Sequence, residues 1–207
     1  MTSTLTSIQQ ACIALCRVDS PLGPLLLART TLGLAGIWFD NQQHHPAAWN
    51  APHSPSDALL LRTQQQLARY FASEAVAFDV PLDLHGTPFQ CSVWRALLRI
   101  QRGRTCSYGD IAAQVGTPSA SRAVGAAVGR NPVSIIVPCH RVLGSGGALT
   151  GYAGGLDRKV ALLDLEREPQ KVDRPAQAAF PFERANGAAS RRASTEGINE
   201  SSEAAFP

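Results

Sequence analysis

A chain of 207 residues with 44% hydrophobic and 17% charged residues has room for one or two compact domains, a balance that excludes a fibrous or wholly disordered protein. The opening MTSTLTSIQQACIALC has neither a basic start nor a long apolar run, so no secretory leader or membrane span is expected and the chain reads as soluble and cytoplasmic. The net charge of +3 is unevenly placed: residues 88–166 hold nine basic and four acidic residues, against four and six in residues 1–87, a middle segment that suits a polyanion such as nucleic acid or a merely solvated basic face.

Three β-like runs, ACIALCRV, PLLLAR and LAGIWF, lie between residues 11 and 39, separated by turn formers at Ser20-Pro21-Leu22-Gly23 and Leu32-Gly33. They predict a small antiparallel sheet. A polar connection over residues 41–55 leads to a helix start marked by Ser54, Pro55 and Asp57. Leu60, Leu67 and Phe71 then share a face that should pack on the sheet, completing an N-terminal domain of residues 1–86.

A second domain, residues 87–166, is predicted to open with a capping box: Thr87 as the cap, Pro88 at the first helical position and Gln90 three residues on. That helix runs through VWRALLRI. After Gly103, SYGDIAAQVG and SRAVGAAVG are joined by the turn TPSA, a helix-turn-helix pattern. The apolar VSIIV reads as a strand or extended segment ended by Pro138, delivering Cys139 and His140 at its end. A glycine-rich loop over 144–155 and a helix over 156–166, with Leu156, Val160 and Leu163 at core spacing, close the domain. The Ala-, Ser-, Glu- and Pro-rich residues 167–207 are expected to be a disordered tail. The fold class is α+β, a sheet domain followed by a mainly helical one.

Five cysteines, odd in number and scattered, argue for free thiols in a reducing compartment. Cys12, Cys16, Cys91 and Cys106 read as packing residues. Cys12 and Cys16 sit four apart on one face of a predicted strand and would need His44, His45 or His53 to bind zinc; no second close ligand pair is visible, so no metal is expected. Cys139 differs. It follows a proline, precedes His140 and Arg141, and opens into the glycine-rich loop, a setting whose positive potential lowers a thiol pKa. Neighbouring side chains in extended backbone point opposite ways, so His140 reaches the sulfur only after a turn or through a water.

The full run NPVSIIVPCHRV, residues 131–142, resembles the active-site signature of the methylated-DNA–protein-cysteine methyltransferases, the alkylguanine-DNA alkyltransferase family. The resemblance covers residues 87–166, including Ser107-Tyr108-Gly109, Arg122-Ala123-Val124-Gly125 and Gly151-Tyr152-Ala153-Gly154-Gly155; residues 1–86 fit the family's smaller sheet domain more loosely, and the tail lies outside it. It implies DNA repair by irreversible, stoichiometric transfer of an alkyl group from the exocyclic oxygen of a flipped guanine to Cys139. The implied partner is double-stranded DNA holding an alkylated guanine, met by a monomer with no metal or diffusible cofactor.

Residue by residue, the resemblance makes Cys139 the nucleophile, His140 the base that takes its proton through a water, and Glu166 the carboxylate that orients the histidine. Without it, Glu166 reads as a solvated terminal carboxylate. Tyr108 becomes the proton donor to the guanine ring, and Asn131 the hinge between the helix-turn-helix and the active-site strand. Arg122 fills the vacated stack, Thr117 and Ser145 meet the DNA backbone, Gly109, Ala123 and Ala126 line the DNA face, and Val142, Tyr152, Ala153 and Gly154 line the base pocket. Gly154 stands where some relatives carry tryptophan, which implies a roomier pocket for alkyl groups larger than methyl. Val160-Ala161 departs from the larger or charged pair common in the family. SRAVGAAVG, lacking Asn, Gln and Lys, suits close approach to the minor groove without sequence preference. Two other classes compete: a DNA-binding regulator or lesion sensor, which would lack a nucleophile at 139, and a thiol hydrolase, which needs an oxyanion hole.

Overall fold

In this computed structural model the described residues are 4–46 and 48–167; the expected tail lies outside them except for Arg167. The three apolar runs form an antiparallel sheet in the order β1 (Ala14–Val18), β2 (Leu25–Arg29), β3 (Leu34–Phe39). Ala14 faces Arg29 across the first pair and Leu25 faces Phe39 across the second, with an irregularity at Ala28/Arg29. Both turns use hydroxyl chemistry. Ser20 Oγ accepts from the Leu22 amide and donates to the Gly23 carbonyl, where Gly23 takes φ 104°. Thr30 Oγ1 accepts from the Leu32 and Gly33 amides.

Every residue of β3 is buried, because both sheet faces are covered. On one side a helix not foreseen from the sequence, α1 (Thr4–Ala11), sets Ile8 into a small core with Leu15, Leu26, Ala28, Ala35 and Trp38. The chain leaves α1 through Cys12 and Ile13, so Cys12 does not share a strand with Cys16 as expected. On the other side lies α2 (Ala58–Phe71), capped by Asp57, whose Oδ1 accepts from the Leu59 and Leu60 amides at 3.0 and 3.1 Å. Leu60, Thr63, Leu67 and Tyr70 point inward; Phe71 is only half-buried.

Thr87 and Gln90 form the expected capping box at the start of α3 (Pro88–Leu97), which ends three residues short of the predicted Ile100. There follow β4 (Cys106–Ser107), α4 (Tyr108–Gln114), α5 (Ser121–Gly129), β5 (Val142–Leu143), parallel to β4, and α6 (Leu156–Arg167). The Trp94 indole donates to the Ala127 carbonyl at 2.9 Å, fixing α3 to α5. One hydrophobic core runs from the sheet through α2 into α3, α4 and α5, so packing is continuous across the expected domain boundary at residues 86–87. No helix among the described residues is long and apolar enough to cross a membrane.

Two local expectations fail. Residues 133–137 are not a strand: Val133 makes one bridge to Ile37, then the chain coils, with Val137 N bonded to Val133 O at 3.0 Å and Ile135 at φ 72°. Asn131 supplies the reason, since its side-chain amide bonds the Val133 amide and the Val137 carbonyl that a strand ladder would otherwise use. In α6, Leu156 and Val160 are 47% and 38% exposed, while Lys159, Leu162, Leu163 and Glu166 face inward. Apolar spacing misplaces that face because two of its inward residues are charged.

Replacing Thr87 by Ala removes one of the two reciprocal bonds at the start of α3. The urea midpoint should fall by the equivalent of about 1 kcal/mol with an unchanged far-ultraviolet circular dichroism spectrum.

Candidate active site

Proline at 138 cannot continue a ladder, and the chain turns there into a short 3-10 turn, Cys139–Arg141. That turn, rather than a strand end, presents the two central side chains. Cys139 is 4% exposed and His140 fully buried. Asn131, at the exit of α5, donates from Nδ2 to Cys139 Sγ at 3.0 Å and to the Val137 carbonyl at 2.8 Å. It therefore ties the end of the helical pair to the sulfur.

The thiol is not acidified as the sequence setting implied. Burial pushes the Cys139 pKa up, and the opposing influences, the Asn131 amide and the positive charge of Lys159, do not overcome it. Arg141, expected to contribute potential, is turned toward Glu166, and burial lowers the His140 pKa so that the imidazole is neutral. The resting sulfur is a neutral thiol.

Glu166 is the hub of the site. His140 Nε2 lies 2.9 Å from its Oε1, Arg141 reaches both oxygens at 2.7 and 2.8 Å, and the Tyr70 hydroxyl donates to Oε1 at 2.7 Å. Burial works against this charge, yet the bonds from His140 and Arg141 outweigh it and hold the carboxyl far below the usual carboxylate range. Since a carboxylate accepts, the His140 proton resides on Nε2, and Nδ1 keeps its lone pair. Nδ1 is buried and has no hydrogen-bond partner among the described residues. A proton acceptor thus belongs to the residue following the thiol.

The sequence did not reveal Lys159 or Tyr70. Lys159 is fully buried, its Nζ donating to the Val142 and Thr150 carbonyls at 2.6 Å each, and burial lowers its pKa while Cys139 pushes the other way. It staples the strand after the cysteine to the glycine-rich loop. A lone lysine between Arg158 and Val160 gave no signal of burial, and a tyrosine on a predicted amphipathic helix gave none of its distant partner.

Tyr108 begins α4 beneath a capping box in which Ser107 Oγ accepts from the Asp110 amide and Asp110 accepts from the Ser107 amide. Its half-buried hydroxyl is 3.4 Å from the Thr150 and Gly151 carbonyls, a loose hold, and burial raises its pKa. Beside it runs an open groove of about 570 Å³ lined by Gly109, Arg122, Gly125, Ser145 and Gly146. Arg122, Ala123 and Ala126 lie on the exposed side of α5. Thr117 is not brought into this groove; its hydroxyl is buried without a partner among the described residues.

Val142, Tyr152 and Gly154 are buried and Ala153 half-buried around the glycine-rich loop. Gly154 does not leave open room. A Cβ there would lie 2.6 Å from the Tyr152 ring and 3.3 Å from Phe39, so the space a larger residue would need is already filled. All five cysteines are free, and among the described residues no group of three His, Cys, Asp or Glu is placed to hold a metal ion.

Comparison with known proteins matches residues 88–168 to the family model of the 6-O-methylguanine DNA methyltransferase DNA binding domain and residues 15–84 to that of its ribonuclease-like domain. The methylated-DNA–protein-cysteine methyltransferase of Mycobacterium tuberculosis is 49% identical over 156 residues, 75% of this chain and 93% of the relative. That of Methanosarcina acetivorans is 48% identical over 151 residues, 72% and 94% of the two chains. Among solved structures, M. tuberculosis OGT in complex with DNA superimposes with a TM-score of 0.68 at 48% identity, covering 75% of this chain and 93% of that one. The M. tuberculosis O6-methylguanine methyltransferase gives 0.66 at 49% identity, covering 74% and 92%.

His140 and Glu166 both have folded pKa values below their ordinary ones, so each contributes stability at high pH that is lost as pH falls. Unfolding free energy should drop below about pH 6.5, where the unfolded imidazole takes a proton the buried ring refuses, and again below about pH 4.3 for the carboxylate. Glu166→Gln should shrink the lower limb to the share carried by Asp79, Asp83 and Asp110, and cost about 3 kcal/mol at neutral pH, because Arg141 is left without its counter-charge. Urea titrations across this range read both effects.

Proposed function

The chain belongs to the 6-O-methylguanine DNA methyltransferase family, and from that premise we propose that it repairs DNA by moving an alkyl group from the exocyclic oxygen of guanine onto Cys139, once per molecule. The observation that carries this reading is the junction of a buried thiol, held by Asn131, with the His140–Glu166 pair. His140 Nδ1 takes the thiol proton through a water, and Glu166 stabilises the imidazolium that results. The sulfur attacks the alkyl carbon, and the electron pair of the breaking carbon–oxygen bond stays with the guanine. Tyr108 gives the guanine ring a proton, making it a better leaving group, and recovers one from solvent. A thioether has no route back to the thiol, which accounts for a single turnover without metal or cofactor.

Ionisation is coupled to occupancy. The neutral resting thiol avoids an uncompensated buried charge, and a base seated against it supplies the electrophile at the moment the proton leaves. A base within a duplex cannot reach this pocket, so it must be flipped. In this reading α4, the turn and α5 act as a helix-turn-helix that enters the minor groove. Ala123, Ala126 and Gly109 allow close approach, Ser145 meets the backbone, and Arg122 occupies the vacated stack. Val142, Tyr152, Ala153 and Gly154 border the base. Residues 87–166 carry the chemistry and the DNA face, residues 1–86 buttress them, and the protein works as a monomer in a reducing cytoplasm.

Incubation with a duplex holding one methylated guanine should give a 1:1 methyl adduct on the Cys139 peptide by mass spectrometry. Cys139→Ala should bind the duplex equally well and carry no adduct; wild-type binding without any adduct would favour the lesion-sensor reading instead. Arg122→Ala should slow transfer from the duplex roughly ten- to a hundredfold, the scale of losing help with an unstacking cost of a few kcal/mol. Its reaction with a free alkylated guanine base, which needs no flipping, should be unchanged, and the ratio of the two rates is the measurement.

A further inference from the structure

Tyr70 lies outside the segment that carries the chemistry, yet it bonds to the centre of the site. It is the last inward-facing residue of α2, 2% exposed, and its hydroxyl donates at 2.7 Å to a carboxylate 96 residues away. Glu166 Oε1 thereby takes three donors: Tyr70, His140 Nε2 and Arg141 Nη2, while Oε2 takes Arg141 Nε. The guanidinium fork meets the carboxylate along one edge, so Arg141 alone leaves the group free to rock about that contact. A third donor approaching from another element restrains it.

The Tyr70 ring is itself fixed. Phe71 meets it edge-on with centroids 5.4 Å apart, Phe78 lies tilted at 5.7 Å, and the Arg102 guanidinium sits 5.1 Å above its centre. The hydroxyl therefore has little freedom to swing. Burial and the adjoining Glu166 charge raise its pKa, so it stays protonated and a donor at neutral pH.

We propose that Tyr70 is a positioning residue for alkyl transfer, its hydroxyl holding the Glu166 carboxylate in the place from which it orients His140. This rests on the reading that His140 accepts the Cys139 proton. The charged and titratable groups facing Tyr70, Glu166 and His140 are Arg141 in the same turn as His140, Lys159 on α6, Tyr152 on the glycine-rich loop, and Arg102 beyond the Tyr70 ring. Without the phenol, the carboxylate loses a donor, pulls harder on the imidazole proton, and gains freedom to rock away from it. The first effect raises the pH at which His140 ceases to be a base. The second loosens the geometry on which proton removal depends.

Tyr70→Phe keeps the ring and removes only the donor. Leu67→Val, on the same buried face of α2, serves as a packing control. With the full-length proteins and a methylated duplex, Tyr70→Phe should slow single-turnover transfer about tenfold, the scale of one hydrogen bond to a charged group. It should also move the acid limb of the rate profile, and the His140 titration followed by nuclear magnetic resonance, to higher pH. Leu67→Val should lower only the urea midpoint. The proposal is overturned if Tyr70→Phe leaves both the acid limb and the His140 titration at wild-type positions, or if Leu67→Val moves them equally. Wild-type protein that leaves Cys139 unmodified would overturn the transfer reading, and this positioning with it.

Discussion

A single buried carboxylate organises this molecule. Glu166 draws together α2 through Tyr70, the turn after Pro138 through His140 and Arg141, and its own helix, α6. A lone ion in such a place would be strongly disfavoured, and it would protonate or drag water inward. Four hydrogen bonds to two oxygens, two of them from a guanidinium, reverse that preference. The carboxylate's charge in turn fixes the tautomer of His140, and the tautomer decides that Nδ1 is the accepting nitrogen. Fold stability and, in the proposed reaction, the direction of proton flow thus rest on the same set of bonds.

The sulfur is held under the opposite regime. Burial raises the Cys139 pKa against the Asn131 amide and the charge of Lys159, whose ammonium is bonded to two carbonyls and itself disfavoured by burial. A neutral buried thiol is a poor target for oxidants and metals, since the thiolate is the reactive form. For a protein whose sulfur can be used once, unreactivity in the empty state protects function as much as reactivity in the occupied state supplies it.

Much of the fold was legible in the sequence. The three strands, the Thr87 capping box and the paired short helices all depend on local patterns within a few residues. The failures share a cause. Residues 133–137 are apolar enough for a strand, but Asn131 takes up the backbone groups a ladder needs. The α6 face was misjudged at Leu156 and Val160 because Lys159 takes the inward place, satisfied by two carbonyls that local spacing does not encode. Cys139 and His140 were singled out through the resemblance of residues 131–142 to a known signature, and Glu166 through the wider resemblance over residues 87–166. Tyr70 was not, because its only mark of importance is a contact with a residue at the other end of the chain.

The sheet's position relative to the site explains why a DNA-facing half needs an N-terminal companion. Beyond β2, the open edge of β3 would expose unpaired amides and carbonyls. Instead Ile37 N bonds to the Pro132 carbonyl at 2.9 Å, and the Ser134 amide returns a bond to the Ile37 carbonyl at 3.0 Å. The segment leading to the cysteine is therefore pinned to a fully buried strand. Nearby, the Gln43 amide bonds the Ala153 carbonyl, and Arg158, stacked on Phe39, bonds the carbonyls of Leu22 and Gly154. Both walls of the site, the coil before Cys139 and the loop after it, are thus referenced to the same rigid sheet. Three strands thus set the place of the thiol relative to the loop, and in the proposed reaction a displacement of about 1 Å there is enough to spoil in-line attack.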